Sequence, residues 1–487
     1  MSKTKQKPID ELLKEALVPE DEQPYQVPEN WVWTWTGVVH EIVTGSTPSK
    51  RNSEYYGGTF PFVKPGDLEQ EDSIVEASEY LTDQGKKKNR IIPRHSTLVC
   101  CIGSIGKVGF NLVECTTNQQ INSLVPDKKA IYPKYTYYFS LSPVYQSLLK
   151  ASSSSTTVSI INKSKMSKLK FVLPPLNEQK RIVDKIERLF AKIDEAKRLI
   201  EEVKESVELQ WESILYKAFR GDLTEKWRSG SSIIENADDV FNDIQKIYKK
   251  RSKEDEPEII PPYPIPQSWK WVKLGDIVEI NPSRKKFTDI ADDQNCTFIP
   301  MPSVSDKTGE IENYETRKYG EVKKGYTFFL ENDILFAKIT PCMENGKTAI
   351  AQNLINGFGF GSTEFHVIRT NHYVNTKLIY YLLRSKKFRA EAKKEMTGAV
   401  GQQRVPKSFL ENYLVPLPPK AEQDKIVELL DKLYFKESEI KSIESLEKEL
   451  DSLRQSILSK AFRGELGTND PNDEHAMELL KEALKSK

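Results

Sequence analysis

From Glu178 to Phe219 the apolar positions fall at Ile182, Ile186, Leu189, Ile193, Ala196, Ile200, Val203, Val207 and Ile214. Their spacing alternates four and three, which lays one apolar stripe along a helix and matches the seam of a coiled coil. Gln210 is the one polar residue in that seam. At about 1.5 Å per residue such a helix runs roughly 60 Å. Pro174 and Pro175 mark its start, and Gly221 stands where a C-terminal cap belongs. A second stretch, Glu422 to Phe462, keeps the rhythm through Ile426, Leu430, Leu433 and Ile440, then through Leu446, Leu450, Leu453 and Ile457. The phase slips between Ile440 and Leu446, which predicts a local stammer.

A globular segment precedes each helix, with short apolar runs broken by Gly, Pro, Asn and Ser. Leu98 to Ile102 and Asp333 to Ala337 read as matching strands. Ile131 to Leu149 and Val374 to Arg384 read as helices near the end of each segment. The class is α+β. Between the first helix and the second globular segment, Ala237 to Lys249 reads as a short helix, followed by a Pro-rich linker up to Pro266.

The two halves share letters as well as rhythm. Leu173-Pro174-Pro175, Glu178-Gln179 and Ile182-Val183 return as Leu417-Pro418-Pro419, Glu422-Gln423 and Ile426-Val427. Ala218-Phe219-Arg220-Gly221 returns as Ala461-Phe462-Arg463-Gly464, and Trp31-Val32-Trp33 is echoed by Trp269-Lys270-Trp271. The period is far too long for a solenoid, so this is a tandem duplication. It divides the chain into an N-terminal arm (1–27), a first globular domain (28–172), a central long helix (173–221) and a short helix with linker (222–265). A second globular domain (266–416), a C-terminal long helix (417–464) and a C-terminal arm (465–487) follow. An approximate two-fold relation between the halves would run the long helices antiparallel. Leu12 to Leu17 recurs letter for letter as Leu479 to Leu484, so the repeat is circular, as expected if the termini lie close together.

Composition narrows the function. The chain has 487 residues, 38% apolar and 29% charged, and no apolar run long enough to span a membrane. No signal segment opens it, and its five cysteines form neither Cys-x-x-Cys pairs nor metal-spaced clusters; they read as free thiols of a cytoplasmic protein. Net charge is +1, so DNA would have to be met by local patches or with a partner's help. Pro261-Pro262-Tyr263 lacks the acceptor residue that a base-methylating turn requires, and Gly103 to Val108 lacks two residues of a phosphate loop. No nucleophile or metalloprotease motif occurs, and nothing in the sequence signals catalysis.

Polar loops recur at corresponding places in both domains. In the first, Ser46, Thr47, Ser49, Lys50 and Arg51 follow a strand, and Lys107, Asn118, Gln119, Gln120, Thr157, Asn162 and Lys163 come later. In the second, Asn281, Ser283, Arg284, Lys285 and Lys286 take the place of the first loop, followed by Lys338, Thr340, Gln402, Gln403 and Arg404. Asn, Gln and Arg can read base edges with two hydrogen bonds, while Lys, Ser and Thr suit phosphates. Singly, each such loop is ordinary solvated surface. Paired occurrence in frames that agree and letters that differ is what two readers of different half-sites need.

The doubled Leu-Pro-Pro-x-x-Glu-Gln-x-x-Ile-Val and Ala-Phe-Arg-Gly pairs, the Trp-x-Trp starts and the Gly45 to Ser49 loop resemble the specificity subunits of type I restriction–modification systems. The resemblance covers essentially the whole chain. It implies two target-recognition domains separated by two long antiparallel coiled-coil helices, each domain reading half of a split, asymmetric site in double-stranded DNA. It also implies two modification subunits, which would carry the S-adenosylmethionine, and restriction (motor and nuclease) subunits in the full complex; no cofactor or metal is expected on this chain. Two rival readings are a coiled-coil adaptor that does not read DNA and a degenerate methyltransferase. Binding of S-adenosylmethionine by the isolated chain would favour the second.

Overall fold

The computed structural model describes residues 8–485 apart from 154–159, 231–235, 249–258, 285–289, 400 and 435–436, with 434 and 437–444 described by backbone alone. The chain forms two compact units, Met1–Ile200 with Glu444–Lys487, and Glu201–Ile443. Each unit therefore combines one globular domain with the start of one long helix and the end of the other.

In the first unit, strand Thr97–Cys100 lies inside an antiparallel sheet, between Ile121–Pro126 and Val108–Phe110, with His40–Thr44 on the far edge. All four residues of the inner strand are buried, which is why it reads as an unbroken apolar run. A smaller sheet joins Tyr80–Leu81, Tyr56–Val63 and Thr116–Thr117. A ribbon pairing Val32–Trp35 with Lys170–Leu173 brings the ends of the domain together and feeds the long helix Leu176–Ala218. The single helix expected over Ile131 to Leu149 is in fact two, Pro133–Leu141 and Pro143–Ser152. Pro143 has no N–H to continue the first helix and holds Ser142 extended. The Ser142 hydroxyl then caps the second helix by accepting from Tyr145 N (3.4 Å).

The second unit repeats the plan. Glu279–Ile280, Phe365–Arg369, Ile334–Ala337 and Thr348–Ile350 form the matching sheet in the same order, and Lys270–Lys273 pairs with Leu414–Leu417. Its second sheet is larger, with Glu315–Lys318, Asn295–Ile299, Phe358–Gly361 and Thr327–Leu330. The expected helix after Val374 begins at Thr376, where Asn375 Oδ1 accepts from Lys377 N. The helix expected from Ala237 is described as Ala237–Tyr248, and a short helix not foreseen, Glu225–Gly230, precedes it.

The repeated letters build one joint twice. In the first unit, the buried Glu178 carboxylate accepts from Trp31 Nε1 (2.7 Å), Asn469 Nδ2 (2.9 Å) and Thr468 Oγ1 (3.3 Å). In the second, Glu422 accepts from Trp269 Nε1 (2.8 Å), Thr224 Oγ1 (2.6 Å) and Arg228. Gln179 accepts from Tyr132 N and donates to Ala130 and Pro174 carbonyls; Gln423 does the same with Asn375 N and the Tyr373 and Pro418 carbonyls. Tyr25 packs edge-on against Trp33 and donates to the Phe462 carbonyl, as Tyr263 packs against Trp271 and donates to that of Phe219. Each joint ties the end of one long helix and the start of the other to a domain, so the circular repeat is a circular set of contacts.

In the first unit the two long helices run antiparallel. Asp194 pairs with Arg454 (3.0 Å), and one turn further along Lys197 pairs with Asp451 (2.5 Å). Ile182, Ile186 and Ile193 are buried with Ile457, Leu458 and Phe462, while Leu199 and Val203 are half exposed. The second long helix is described in two pieces, Lys420–Tyr434 and Glu437–Ala461. The expected phase slip begins at Ile440, whose side chain is outside the described set.

Candidate nucleic-acid interface

In the first domain the loop after strand His40–Thr44 is pinned to the turn before Ile121–Pro126. Gly45 N donates to the Ile121 carbonyl (3.1 Å) and Ser46 N to that of Thr117 (3.0 Å). A Cβ on Gly45 would lie 2.2 Å from the Asn118 carbonyl oxygen, so only glycine permits this approach. Ser46 Oγ donates to Asn89 Oδ1 (2.7 Å), and Asn89 Nδ2 returns a bond to the Ser46 carbonyl (2.6 Å). Thr47 donates to Gln119 Oε1, and Asn118 bonds Gln120 through both its amide nitrogen and its oxygen. Ser46, Thr47, Asn118, Gln119 and Gln120 thus form one cluster, with Lys50 and Arg51 exposed on the same loop.

A chain of backbone bonds joins this cluster to the segment before the long helix. Cys101 N donates to Gln120 O (2.7 Å), and Ile161 N donates to Cys101 O (2.9 Å). Asn162 follows, but its side chain caps helix Lys163–Ser167 by accepting from Lys165 N (2.9 Å). Lys163 is exposed on that helix. Lys107 is ion-paired with Glu69 (2.8 Å). Thr157 lies outside the described residues.

The second domain has the same crossing in different letters. Lys338 N donates to Glu364 O, Val405 N to Lys338 O, and Thr340 N to Gln403 O, all at 2.9–3.0 Å. Lys338, Thr340, Gln402, Gln403 and Arg404 therefore meet, as their spacing in sequence could not show. Glu364 accepts from Nε and Nη2 along one edge of the Arg404 guanidinium (2.9 and 2.8 Å), which holds that carboxyl below its ordinary range, and Nη1 donates to the Gln402 carbonyl (3.0 Å). Burial lowers the Lys338 ammonium. Asn281 opens the first loop of this domain at φ +53, with its N–H on the Val367 carbonyl (2.7 Å). Ser283 is exposed.

Arg284 departs from the pattern expected of a base reader. It stacks on Phe360 (4.9 Å), donates to the Lys323 carbonyl and reaches Tyr319 Oη (3.3 Å), so it braces the larger sheet. Lys285 and Lys286 lie outside the described residues. Asn89, Glu364, Asn122 and His366 contribute to the two crossings and were not singled out as site residues; they sit apart in sequence from the loops they hold. Burial pushes the Cys101 and Cys115 thiols up to about 12, far from thiolate reactivity.

Residues 28–205 and 266–448 each match the family model of the type I restriction modification DNA specificity domain. The EcoEI specificity subunit of Escherichia coli is 37% identical over 269 residues, 46% of this chain and 45% of that subunit. The EcoAI specificity subunit of the same species is 36% identical over 286 residues, 50% of this chain and 48% of that subunit. The chain spans about half the length of these two relatives. The MjaIX specificity subunit of Methanocaldococcus jannaschii aligns over 91% of this chain and 94% of its own length at 24% identity. A chain solved in work on complex assembly and conformational transition of the type I R-M system covers 91% of this chain and 100% of its own length at 20% identity, with a TM-score of 0.65; that likeness is one of fold. The two matched segments, which together cover most of the chain, establish that this chain belongs to the type I restriction modification DNA specificity domain family and carries that domain twice.

Proposed function

We propose that this chain is the sequence-reading subunit of a type I restriction–modification complex. Each globular domain reads one half of a split, asymmetric site in double-stranded DNA, and the long helices fix the distance between the halves. The observation that supports this best is the crossing built twice on one backbone plan with different exposed letters: Thr47, Lys50, Arg51 and Gln119 in one domain, Gln402 and Gln403 beside Lys338 in the other. Matched frames with unmatched letters suit two half-sites of different sequence.

With a net charge of +1 the chain has little field of its own to hold a polyanion. The reading therefore assigns the clamping of the duplex to two modification subunits docked on the long helices. Those partners carry S-adenosylmethionine and methylate the DNA, restriction subunits join the full assembly, and this chain takes no part in bond breaking. The complex works in the cytoplasm, where the host's DNA is. The direct test replaces Gln402, Gln403 and Arg404 together by Ala in the assembled complex. Discrimination at one half-site should fall about tenfold or more, with the other half unchanged. Unchanged discrimination at both halves would leave the adaptor reading standing instead.

A further inference from the structure

At one strand position the two domains carry different side chains that make the same cross-connection. Asn122, opposite Val99 in the sheet, accepts from Thr44 Oγ1 (2.7 Å) at the root of the first loop. Its Nδ2 donates to the Ile161 carbonyl (3.0 Å), just before the Asn162 cap. His366, opposite Phe336, takes the equivalent place. Its Nε2 bonds the Val405 carbonyl (2.8 Å), and its Nδ1 meets Asn281 Nδ2 (2.9 Å) at the root of the other domain's first loop. Ile161 and Val405 correspond, because each donates its N–H to the residue that ends the inner strand's run, Cys101 or Lys338. In both domains one buried side chain therefore clasps the loop after the edge strand to the segment that carries the far side of the crossing.

The protonation of the histidine clasp is fixed by its neighbours. Asn281 Oδ1 accepts from Val367 N (3.0 Å), so the nitrogen of that amide faces the ring as a donor. His366 Nδ1 must then be the acceptor, and the single ring proton sits on Nε2, aimed at the Val405 carbonyl. A second proton on Nδ1 would set two donors face to face.

We propose that His366 is the positioning residue of the second domain's reading crossing, a titratable counterpart of Asn122, so that acid loosens one half-site reader and leaves the other intact. This rests on the DNA-reading role proposed above. The charged groups facing the ring are Lys338 and Glu364 from the strand ends and Lys407 from helix Lys407–Asn412, with Arg404 holding Glu364. Burial, and then Lys338 and Lys407, keep the imidazolium below its ordinary value near 6.5, against the opposing pull of the Val405 carbonyl and Glu364. As pH falls below that ordinary value, the unfolded chain takes up a proton that the folded ring still refuses, so the domain loses stability from there downward. Below the folded value the ring itself is protonated and the clasp opens.

The test uses the full chain assembled with modification subunits, selecting from a pool of randomised duplex oligonucleotides at pH 8 and at pH 5. His366→Ala should lower discrimination in one half of the selected motif about tenfold at pH 8, and Asn122→Ala should do so in the other half. His366→Asn should recover most of the loss and remove the extra relaxation that the parent shows at pH 5. Equal sharpness of both halves in His366→Ala, or equal relaxation of both halves by acid in the parent, would overturn the proposal. So would His366→Asn behaving like His366→Ala while circular dichroism shows it folded. A parent that selects no split motif even at pH 8 would instead refute the DNA-reading role on which the proposal stands.

Discussion

Glu178 and Glu422 are the residues on which the repeated letters converge. Each sits buried with three donors aimed at it, one of them a tryptophan N–H. Removing the carboxylate leaves those donors unsatisfied, at a cost of about 3 kcal/mol for Glu178→Ala or Glu422→Ala. Urea unfolding of either variant should show this loss in its own unit; a change below about 0.5 kcal/mol would mean water replaces the carboxylate freely. The sequence named both glutamates as repeated letters but not their job, because a repeat marks which positions matter and not what faces them. Arg284 shows the converse. A cation in a polar loop reads as a DNA contact, yet Phe360 and the Lys323 carbonyl, distant in sequence, hold its guanidinium. Asn89 is not legible because its partner Ser46 lies 43 residues away in the chain.

At the scale of elements, the long helices were the most legible part. A stripe of apolar residues predicts a helix over Glu178 to Phe219, and the helix runs Leu176–Ala218. Periodicity gives the face that is apolar and not what covers it, so the ends of the seam are buried while Leu199 and Val203 are half exposed. Helix boundaries within the domains were less legible where proline acts locally, as at Pro143. The stops after the long helices were read correctly from Gly221, and its copy Gly464 does the same work. Both residues have positive φ, +84 and +76, and a Cβ on either would lie 2.4 Å from the ring of Pro266 or Pro28. Gly221→Val and Gly464→Val should each destabilise by about 2 kcal/mol or more, from left-handed strain plus that overlap. Thermal unfolding measures it, and an unchanged midpoint would contradict the tight packing of the joint.

For the whole molecule the near-zero net charge governs affinity. The chain alone should bind DNA weakly, with affinity falling as salt rises, and should bind tightly and selectively only with modification subunits. Fluorescence anisotropy with and without those subunits compares the two states; equal affinity and equal selectivity would contradict this division of labour. The duplication and the fold class were readable from letters and rhythm alone. The crossings were not, since each gathers segments separated in sequence, around residues 101, 120 and 161 in one domain and 338, 364 and 405 in the other, and only the backbone bonds between them bring these residues together.

The central claim is that two unlike readers on one chain jointly define a single split site. The most direct measurement is the methylome of the host with and without this chain. The account predicts a two-part, asymmetric methylated motif that disappears when the chain is deleted, and whose one half alone changes when residues 30–172 are exchanged for those of a relative. A methylation pattern that survives deletion unchanged, or a motif whose two halves both change on that exchange, would contradict it.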